Sequence, residues 1–343
     1  MDETDDLPGR RGYVSAAQVA LRAGVSRSAV SRTFTPGASV SPETRAKVTE
    51  AAEALGYHVN DLARGLLANR SRLVGLVATN PEEGFRALLV AALTRALIRR
   101  GSVPVLINTG RTEAEMAAAQ RILLGHRAEA VIILSGKPHG DFVEIARRND
   151  QPVVMIGRSE PGVDQVRVDN AGAARQIARA FAKAGARRLG LANSRLGTPS
   201  MAEREAAFCD EAGRLGLPVA IGRGEDSVYA GGVAAAVELF GTAARPDAVF
   251  CANDQIAFGL IDHLRGLGLT MPGDVAVVGF DDVPEAAWSS FALTTFRQDP
   301  DRLAAEAIAL IEARQADPDA AVARTDVSPR LIIRQTFTPA NFS

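Results

Sequence analysis

The sequence predicts an N-terminal all-α helix-turn-helix headpiece, followed by an α/β body of two subdomains, each a doubly wound parallel sheet. Three observations predict this. Short helical segments with capping residues crowd between Tyr13 and Gly56. The same region is basic: from Arg10 to Arg72, ten Arg and Lys stand against four Asp and Glu, in a chain of formal net charge −1. From Leu73 onward, short apolar runs alternate with longer helical patterns. That is the rhythm of parallel strands covered by helices on both faces.

The headpiece elements follow in order. Ser15 with Gln18 three residues on has the spacing of a reciprocal N-terminal cap. Val19, Ala20 and Ala23 give the first helix one apolar face, and Gly24 ends it in a tight turn. Ser26 caps a second helix, Arg27 to Phe34, with Ala29, Val30 and Thr33 facing inward. Two short helices joined by a Gly-containing turn are a helix-turn-helix arrangement. A third helix starts at Ser41 with Pro42 in its first turn and stops at Gly56. The second helix is expected in the major groove of double-stranded DNA. Arg27 and Ser28 would reach base edges, and Arg32 a base or a phosphate. Ser26 and Ser31 suit phosphate oxygens. A small bundle whose Arg residues merely face water is the bland alternative. The local excess of positive charge opposes it, being the footprint of nucleic-acid binding.

In the body, strands are expected at Leu73–Ala78, Val103–Ile107, Ala130–Leu134, Val153–Ile156, Leu189–Ala192, Val249–Cys251 and Val275–Gly279. Helices are expected at Phe85–Arg100, Glu113–Leu124, Ala171–Ala184, Glu203–Leu215, Val233–Phe240 and Gln255–Leu267. These are too many repeats for one compact sheet, and the sequence divides near Val168-Asp169. In such sheets a ligand binds outside the carboxyl ends of the strands. The residues there are polar: Thr79-Asn80, Ser135, Arg158, Asn193-Ser194, Asn253-Asp254 and Asp281-Asp282.

Composition narrows the function. A chain of 343 residues, 47% hydrophobic and 23% charged, has ordinary globular composition and room for two or three domains. No run of about 18 apolar residues occurs, so no membrane partner is expected. The acidic start, with Asp2, Glu3, Asp5 and Asp6, is unlike a secretion signal; residues 1–10 are expected to be a disordered tail on a cytoplasmic protein. Cys209 and Cys251 lack CxxC spacing and read as buried apolar residues. The four His have no ligand spacing, so no metal is expected. No Gly-rich stretch follows a strand with dinucleotide-binding spacing, and no cofactor is expected.

The headpiece carries Val19-Ala20, Ala23-Gly24-Val25-Ser26 and Val30-Ser31-Arg32, then Val40-Ser41, Thr44-Arg45 and Leu55-Gly56-Tyr57. It closely resembles that of the lactose-repressor (LacI/GalR) family of bacterial transcription regulators. Asn60 to Leu66 resembles that family's hinge helix. The resemblance implies DNA contacts at Ser15, Tyr57, Asn60, Ala63 and Leu66, with Leu66 wedged between bases at the centre of the site. Such wedging costs about a few kcal/mol of unstacking and kinks the duplex. The match departs at Gly65, which costs roughly 1 kcal/mol relative to Ala in a helix interior.

The body resembles the family's effector domain, which is similar to periplasmic sugar-binding proteins. The markers are Val168-Asp169-Asn170, Ser200 with Arg204, Ala252-Asn253-Asp254-Gln255-Ile256-Ala257, Pro272-Gly273-Asp274-Val275, Val278-Gly279-Phe280-Asp281-Asp282, and Leu293-Thr294-Thr295 followed by Gln298-Asp299. The resemblance implies a headpiece at 11–59, a hinge at 60–71 and an effector domain at 72–343. It further implies an N-subdomain of 72–168 and 298–326, and a C-subdomain of 169–297 and 327–340. Asp299–Ala316 would be a returning helix and Leu331–Phe337 a last strand.

Effector contacts are implied at Ser200, Arg204, Asn253 and Asp281. Arg204 offers a planar fork of donors, suited to a carboxylate or paired hydroxyls. Asn253 and Asp281 suit adjacent hydroxyls. Asp254 reads as the cap of the following helix, and Asp282 as a turn residue. The chain departs from lactose-type members in three places. Gly157-Arg158 replaces an acidic residue after the fourth strand. Asp226, with Tyr229 nearby, stands where an aromatic stacks on the sugar, and Pro300 follows Gln298-Asp299 in place of an aromatic residue. Phe85 or Trp288 remains to supply a ring face. With Arg158 and Arg204 both present, the effector is expected to be a sugar or a sugar acid.

The expected protein is therefore a homodimeric regulator, a repressor above all, on a pseudo-palindromic operator. The chain stops just after the expected last strand, leaving no room for a tetramerising helix. Two other readings fit the sequence less well. A solute-binding protein of the same fold is opposed by the basic headpiece and the missing signal peptide. An enzyme using Asp281 and Asp282 is opposed by the lack of any nucleophile–base pair or metal cluster.

Overall fold

The structure, a computed structural model, describes residues 13–35, 37–59, 71–109, 112–135, 142–157 and 160–338. The expected acidic tail at 1–10 and the hinge positions Asn60, Ala63 and Leu66 lie outside the described residues. The chain divides into two compact units, Met1–Ser71 and Arg72–Ser343.

The first unit has three helices, α1 (Ala16–Ala23), α2 (Arg27–Thr33) and α3 (Pro42–Leu55). Ser15 caps α1 in a reciprocal box: its Oγ accepts from Gln18 N at 3.3 Å, and Gln18 Oε1 accepts from Ser15 N at 2.7 Å. Gly24 closes α1 at φ 66°, a left-handed conformation that suits glycine. The helices bury one small core around Val19, Val30 and Val48. Arg45 Nη1 donates to Thr33 O at 2.7 Å, locking α3 to the end of α2.

The second unit begins with β1 (Leu73–Ala78), α4 (Gly84–Arg100), β2 (Val103–Asn108), α5 (Glu113–Gly125), β3 (Ala130–Ile133), α6 (Phe142–Arg148), β4 (Val153–Ile156) and β5 (Asp164–Val168). The chain then crosses to a second sheet. It runs through α7 (Asn170–Lys183), β6 (Leu189–Ser194), α8 (Pro199–Arg214), β7 (Val219–Gly224), α9 (Tyr229–Phe240), β8 (Ala248–Cys251), α10 (Asp254–Gly266), β9 (Ala276–Asp281) and β10 (Thr294–Arg297). It returns to the first sheet through α11 (Pro300–Ala316) and β11 (Arg324–Val327), and ends in the second with β12 (Arg330–Ile332). Each sheet has six strands, in the orders β11-β5-β4-β3-β1-β2 and β12-β10-β9-β8-β6-β7. Every pairing is parallel except β10 with β12, which is antiparallel.

The central strands β3, β4 and β8 are buried along their whole length, as their uniformly apolar sequences require, and so is β9, apolar up to its last residue, Asp281. Four strands not expected from the sequence, β5, β7, β10 and β11, complete the sheets. In β5 buried and half-buried residues alternate, so a search for apolar runs passes over it. The last strand is shorter than Leu331–Phe337. Beyond Ile332 the chain leaves the ladder: Gln335 N donates to Ala292 O at 2.8 Å, and Thr336 O accepts from Val277 N at 3.0 Å. The segment is held instead by Phe337, fully buried, with its ring centroid 5.1 Å from that of Phe181 in an edge contact.

Among the described residues, no helix is long and apolar enough to cross a membrane, and no cluster of His, Cys, Asp or Glu could hold a metal.

Candidate functional site: an exposed helix turn and an interior cleft

In the headpiece, Val30 and Thr33 turn α2 inward, which leaves Arg27, Ser28, Ser31 and Arg32 exposed. Ser26 Oγ accepts from Ala29 N at 3.2 Å as the cap and lies 2.9 Å from Ser28 Oγ. Arg32 Nε donates to Ser28 O at 3.3 Å, so its guanidinium leans back along the helix toward the same first turn. Ser15, at the start of α1, is exposed too. Tyr57 is half-buried, its ring 5.7 Å from that of Phe34, which makes it part of the packing under this surface.

In the body, a cleft of about 650 Å³ opens where the strands of both sheets end. Phe85 and Arg86 from the first turn of α4, Ser135 after β3 and Gly157 after β4 line one wall. Ser200 and Arg204 of α8, with Asn253, Asp281 and Gln298, line the other. Arg158 lies outside the described residues.

Arg204 is the centre of the second wall. It is 4% exposed, with its guanidinium 3.4 Å from the Phe280 ring centroid. Its Nε donates to Asn170 Oδ1 at 2.8 Å and its Nη1 to Ala252 O at 2.5 Å. Part of the fork is thus spent on orienting the group. Burial pulls its pKa down to about 10, and the charges of Asp281, Asp254 and Glu203 oppose that, so it remains a cation at neutral pH. Asp281 ends β9 at φ 130° and accepts from Gln298 Nε2 at 2.6 Å. Burial pushes its carboxyl up to about 6, against the charge of Arg204, the Gln298 hydrogen bond and the charge of Arg86 across the cleft. A cation and a carboxylate side by side can take neighbouring hydroxyls, one accepting and one donating.

Several sequence expectations need correction. The cap of α10 is Asn253, whose Oδ1 accepts from Ile256 N at 2.9 Å while its Nδ2 donates to Ser227 O at 2.9 Å. Asp254 is therefore not the cap; it is fully buried beneath the cleft. Asp226 is not among the cleft residues; its Oδ1 accepts from Ser227 N at 2.6 Å, and Ser227 takes the place on the wall. The alternative ring Tyr229 is turned away to donate to Asp262 at 2.9 Å, and Trp288 is exposed outside the cleft. Phe85 alone of these puts a ring face on the wall. Asn170 and Gln298 sit inside sequence markers, yet nothing in their spacing assigned them the task of orienting Arg204 and Asp281.

A smaller hollow of about 230 Å³ lies beside Gln151 and Arg314. All five N–H groups of Arg314 are taken, by both oxygens of Asp164 and the carbonyls of Pro318, Ala320 and Ala321. The cleft, by contrast, holds polar groups with capacity to spare.

Comparison with known proteins gives consistent findings. A family model described as bacterial regulatory proteins, lacI family, matches residues 17–60, and one described as a periplasmic binding protein-like domain matches residues 178–337. The HTH-type transcriptional regulator GalS of Salmonella typhimurium is 32% identical over 294 residues, covering 83% of this chain and 85% of GalS. The HTH-type transcriptional regulator CelR of Thermobifida fusca is 30% identical over 341 residues, covering 95% and 99%. The crystal structure of the lac repressor dimer bound to operator and the anti-inducer ONPF has a TM-score of 0.85 at 25% identity, covering 95% of this chain and 99% of that one. A CelR–cellobiose complex has a TM-score of 0.69 at 29% identity, covering 94% and 100%.

Proposed function

We propose that this chain, which belongs to the lacI family of bacterial regulatory proteins, is a transcriptional repressor whose hold on operator DNA is set by a small polyhydroxy effector in the body cleft. The observation that carries the first half is the exposed first turn of α2. Arg27 and Ser28 are exposed where they can meet base edges, while the opposite face of the helix is buried. The protein acts as a cytoplasmic homodimer on a pseudo-palindromic site. The edge strand β2, with Val103 and Leu106 exposed, is suited to burial against a second copy. It is not an enzyme: turnover of any cleft-bound sugar would overturn that.

The effector class follows from the cleft. Among the described residues its wall holds Arg86 and Arg204 against Glu82, Glu83, Asp281 and Glu285. Arg86 is itself engaged, with Nη2 donating to Glu83 Oε2 at 3.1 Å and Nε to Asn80 O at 3.1 Å. This balance favours a neutral sugar held by Arg204 and Asp281 over a sugar acid, which would depend on Arg158. Relatives offer a precedent in cellobiose, bound by the matching CelR structure.

The test is binding of genomic DNA fragments at physiological salt, with and without a panel of neutral sugars, uronates and aldonates. A palindromic site whose affinity moves with one neutral sugar is the expected result. Salt-sensitive binding with no site preference would leave only a basic module on a sugar-binding fold.

A further inference from the structure

We propose that Asp254, hidden under the effector cleft, is a positioning residue that holds the Asp281 turn in its protonated form, so that the state of Asp281 is tied to a proton on Asp254. The link to effector binding rests on the effector function proposed above; the link between the two carboxyls does not.

The geometry comes first. Asp254 opens α10, but Asn253 does the capping, so the carboxyl of Asp254 is free for another task. One of its oxygens, Oδ1, lies 2.5 Å from Thr295 Oγ1 on β10. The other accepts from Val283 N at 3.0 Å, in the turn that follows Asp281. A single buried side chain therefore ties together a helix start, a neighbouring strand and the turn that carries the effector carboxylate. The chain makes room for it: a Cβ on Gly279 would stand 2.3 Å from Asp254 Oδ1.

The turn needs holding. Asp281 at φ 130° and Asp282 at φ 58° both occupy conformations that side chains disfavour. Two anchors oppose this strain. Asp282 accepts from Arg297 and Arg334, and Val283 N donates to Asp254.

The charges around Asp254 decide its state. On β9 and its turn lie Asp281 and Asp282; on β8 lies Cys251; on α8 lies Arg204; across the cleft on α4 lies Arg86. Arg297 and Arg334 are bonded to Asp282, and Arg204 donates to Asn170 and Ala252. Among the described residues no cation is bonded to Asp254. Burial, then the charge of Asp281, pushes its carboxyl up to about 8, with the bonds from Thr295 and Val283 opposing. The neutral form also fits its partners. The carboxylate accepts from Thr295 Oγ1; on protonation the hydroxyl turns and Oδ1–H donates to it instead, while Oδ2 still accepts from Val283 N. An asparagine side chain offers the same pattern, one donor and one acceptor in the same places.

The experiment is infrared difference spectroscopy on the full-length protein, comparing wild type, Asp254→Asn and Asp281→Asn across pH. A protonated-carboxyl stretch present in wild type at neutral pH, absent from Asp254→Asn and lost from wild type above pH about 8, is expected. In Asp281→Asn the same band should disappear at lower pH, because the charge that raises it has gone. Wild type and Asp254→Asn spectra that match in this region would overturn the proposal, as would a band indifferent to Asp281→Asn. Asp254→Ala, which cannot bond Thr295 and Val283, should lower Tm where Asp254→Asn does not; equal melting of the two overturns the positioning role. With D-galactose, D-ribose and cellobiose as probes, wild-type affinity should fall above pH about 8, by up to about tenfold per pH unit, and stay flat in Asp254→Asn. A pH-independent wild-type affinity also overturns the link. If none of the three binds, the effector reading fails, and the infrared result still decides Asp254.

Discussion

Arg167 on β5 and Glu203 on α8 meet at 2.7 Å, joining the strand that ends one sheet's run to a helix of the other. The second oxygen of Glu203 accepts from Asn170 Nδ2 at 3.1 Å, and Asn170 Oδ1 in turn accepts from Arg204 Nε at 2.8 Å. A continuous set of hydrogen bonds thus runs from the first subdomain to the guanidinium at the cleft. Any effector that pulls on Arg204 also pulls on this join.

Breaking the join with Arg167→Ala or Glu203→Gln should change stability little, by about 0–1 kcal/mol, because both side chains are partly solvated. The expected loss is in coupling: the effector's influence on operator affinity should shrink. Operator Kd measured with and without saturating sugar reads this directly. Coupling unchanged in both variants would make the pair a bystander.

Arg27→Ala should weaken the preferred operator by about 1–3 kcal/mol and relax base preference at one position of each half-site. Binding to a set of single-base operator variants at fixed salt checks it. Equal weakening on all sequences would reassign Arg27 to a phosphate.

Arg204→Lys keeps a positive charge but cannot reproduce the paired bonds to Asn170 and Ala252 or the guanidinium contact over the Phe280 ring. Calorimetry should show sugar affinity reduced by about ten- to a hundredfold, about 1.4–2.8 kcal/mol. Wild-type affinity in this variant would show that the fork geometry is dispensable.

Asp254 and Asp281 both have carboxyls raised in the fold, to about 8 and about 6. A raised carboxyl means the folded state holds a proton that the unfolded state releases near its ordinary value. The stability it gives is full at acid pH and is lost as pH climbs through the folded value. Wild type should therefore lose stability toward pH about 8 from Asp254. The Tm of Asp254→Asn minus that of wild type should rise between pH 5 and 8, then level off. A difference flat with pH contradicts the raised carboxyl.

Gly279→Ala would place a methyl against Asp254 Oδ1, 2.3 Å away, with Leu293 and Thr295 close behind. Overpacking of this kind costs roughly 1–3 kcal/mol, which chemical denaturation would measure. A neutral substitution would mean that Asp254 shifts freely, and would weaken its role as an anchor.

The sequence marked the two units clearly because each signal was local. Ser15 with Gln18, Ser26 and Ser41 announce helix starts by side-chain bonds spanning three residues. The uniformly apolar β3, β4 and β8, and β9 up to Asp281, announce burial on both faces. Edge strands such as β11, and the three-residue β12, carry little signal of their own, because pairing with a neighbour defines them.

By itself, then, the sequence determined a basic helix-turn-helix followed by two parallel sheets, and it put Asn253 and Asp281 forward as polar residues at strand ends, with Arg204 added by the family resemblance. The tertiary structure alone decided what those residues touch. It gave the cap of α10 to Asn253, moved Asp254 into the core beneath Asp281, and exchanged Asp226 for Ser227 on the wall. It also set Asn170 and Gln298 to aim Arg204 and Asp281. The reason is physical. Caps and apolar periodicity depend on neighbours within a turn or two of chain. Burial and charge coupling depend on groups up to dozens of residues apart, which only the packing of the sheets brings within a few ångströms.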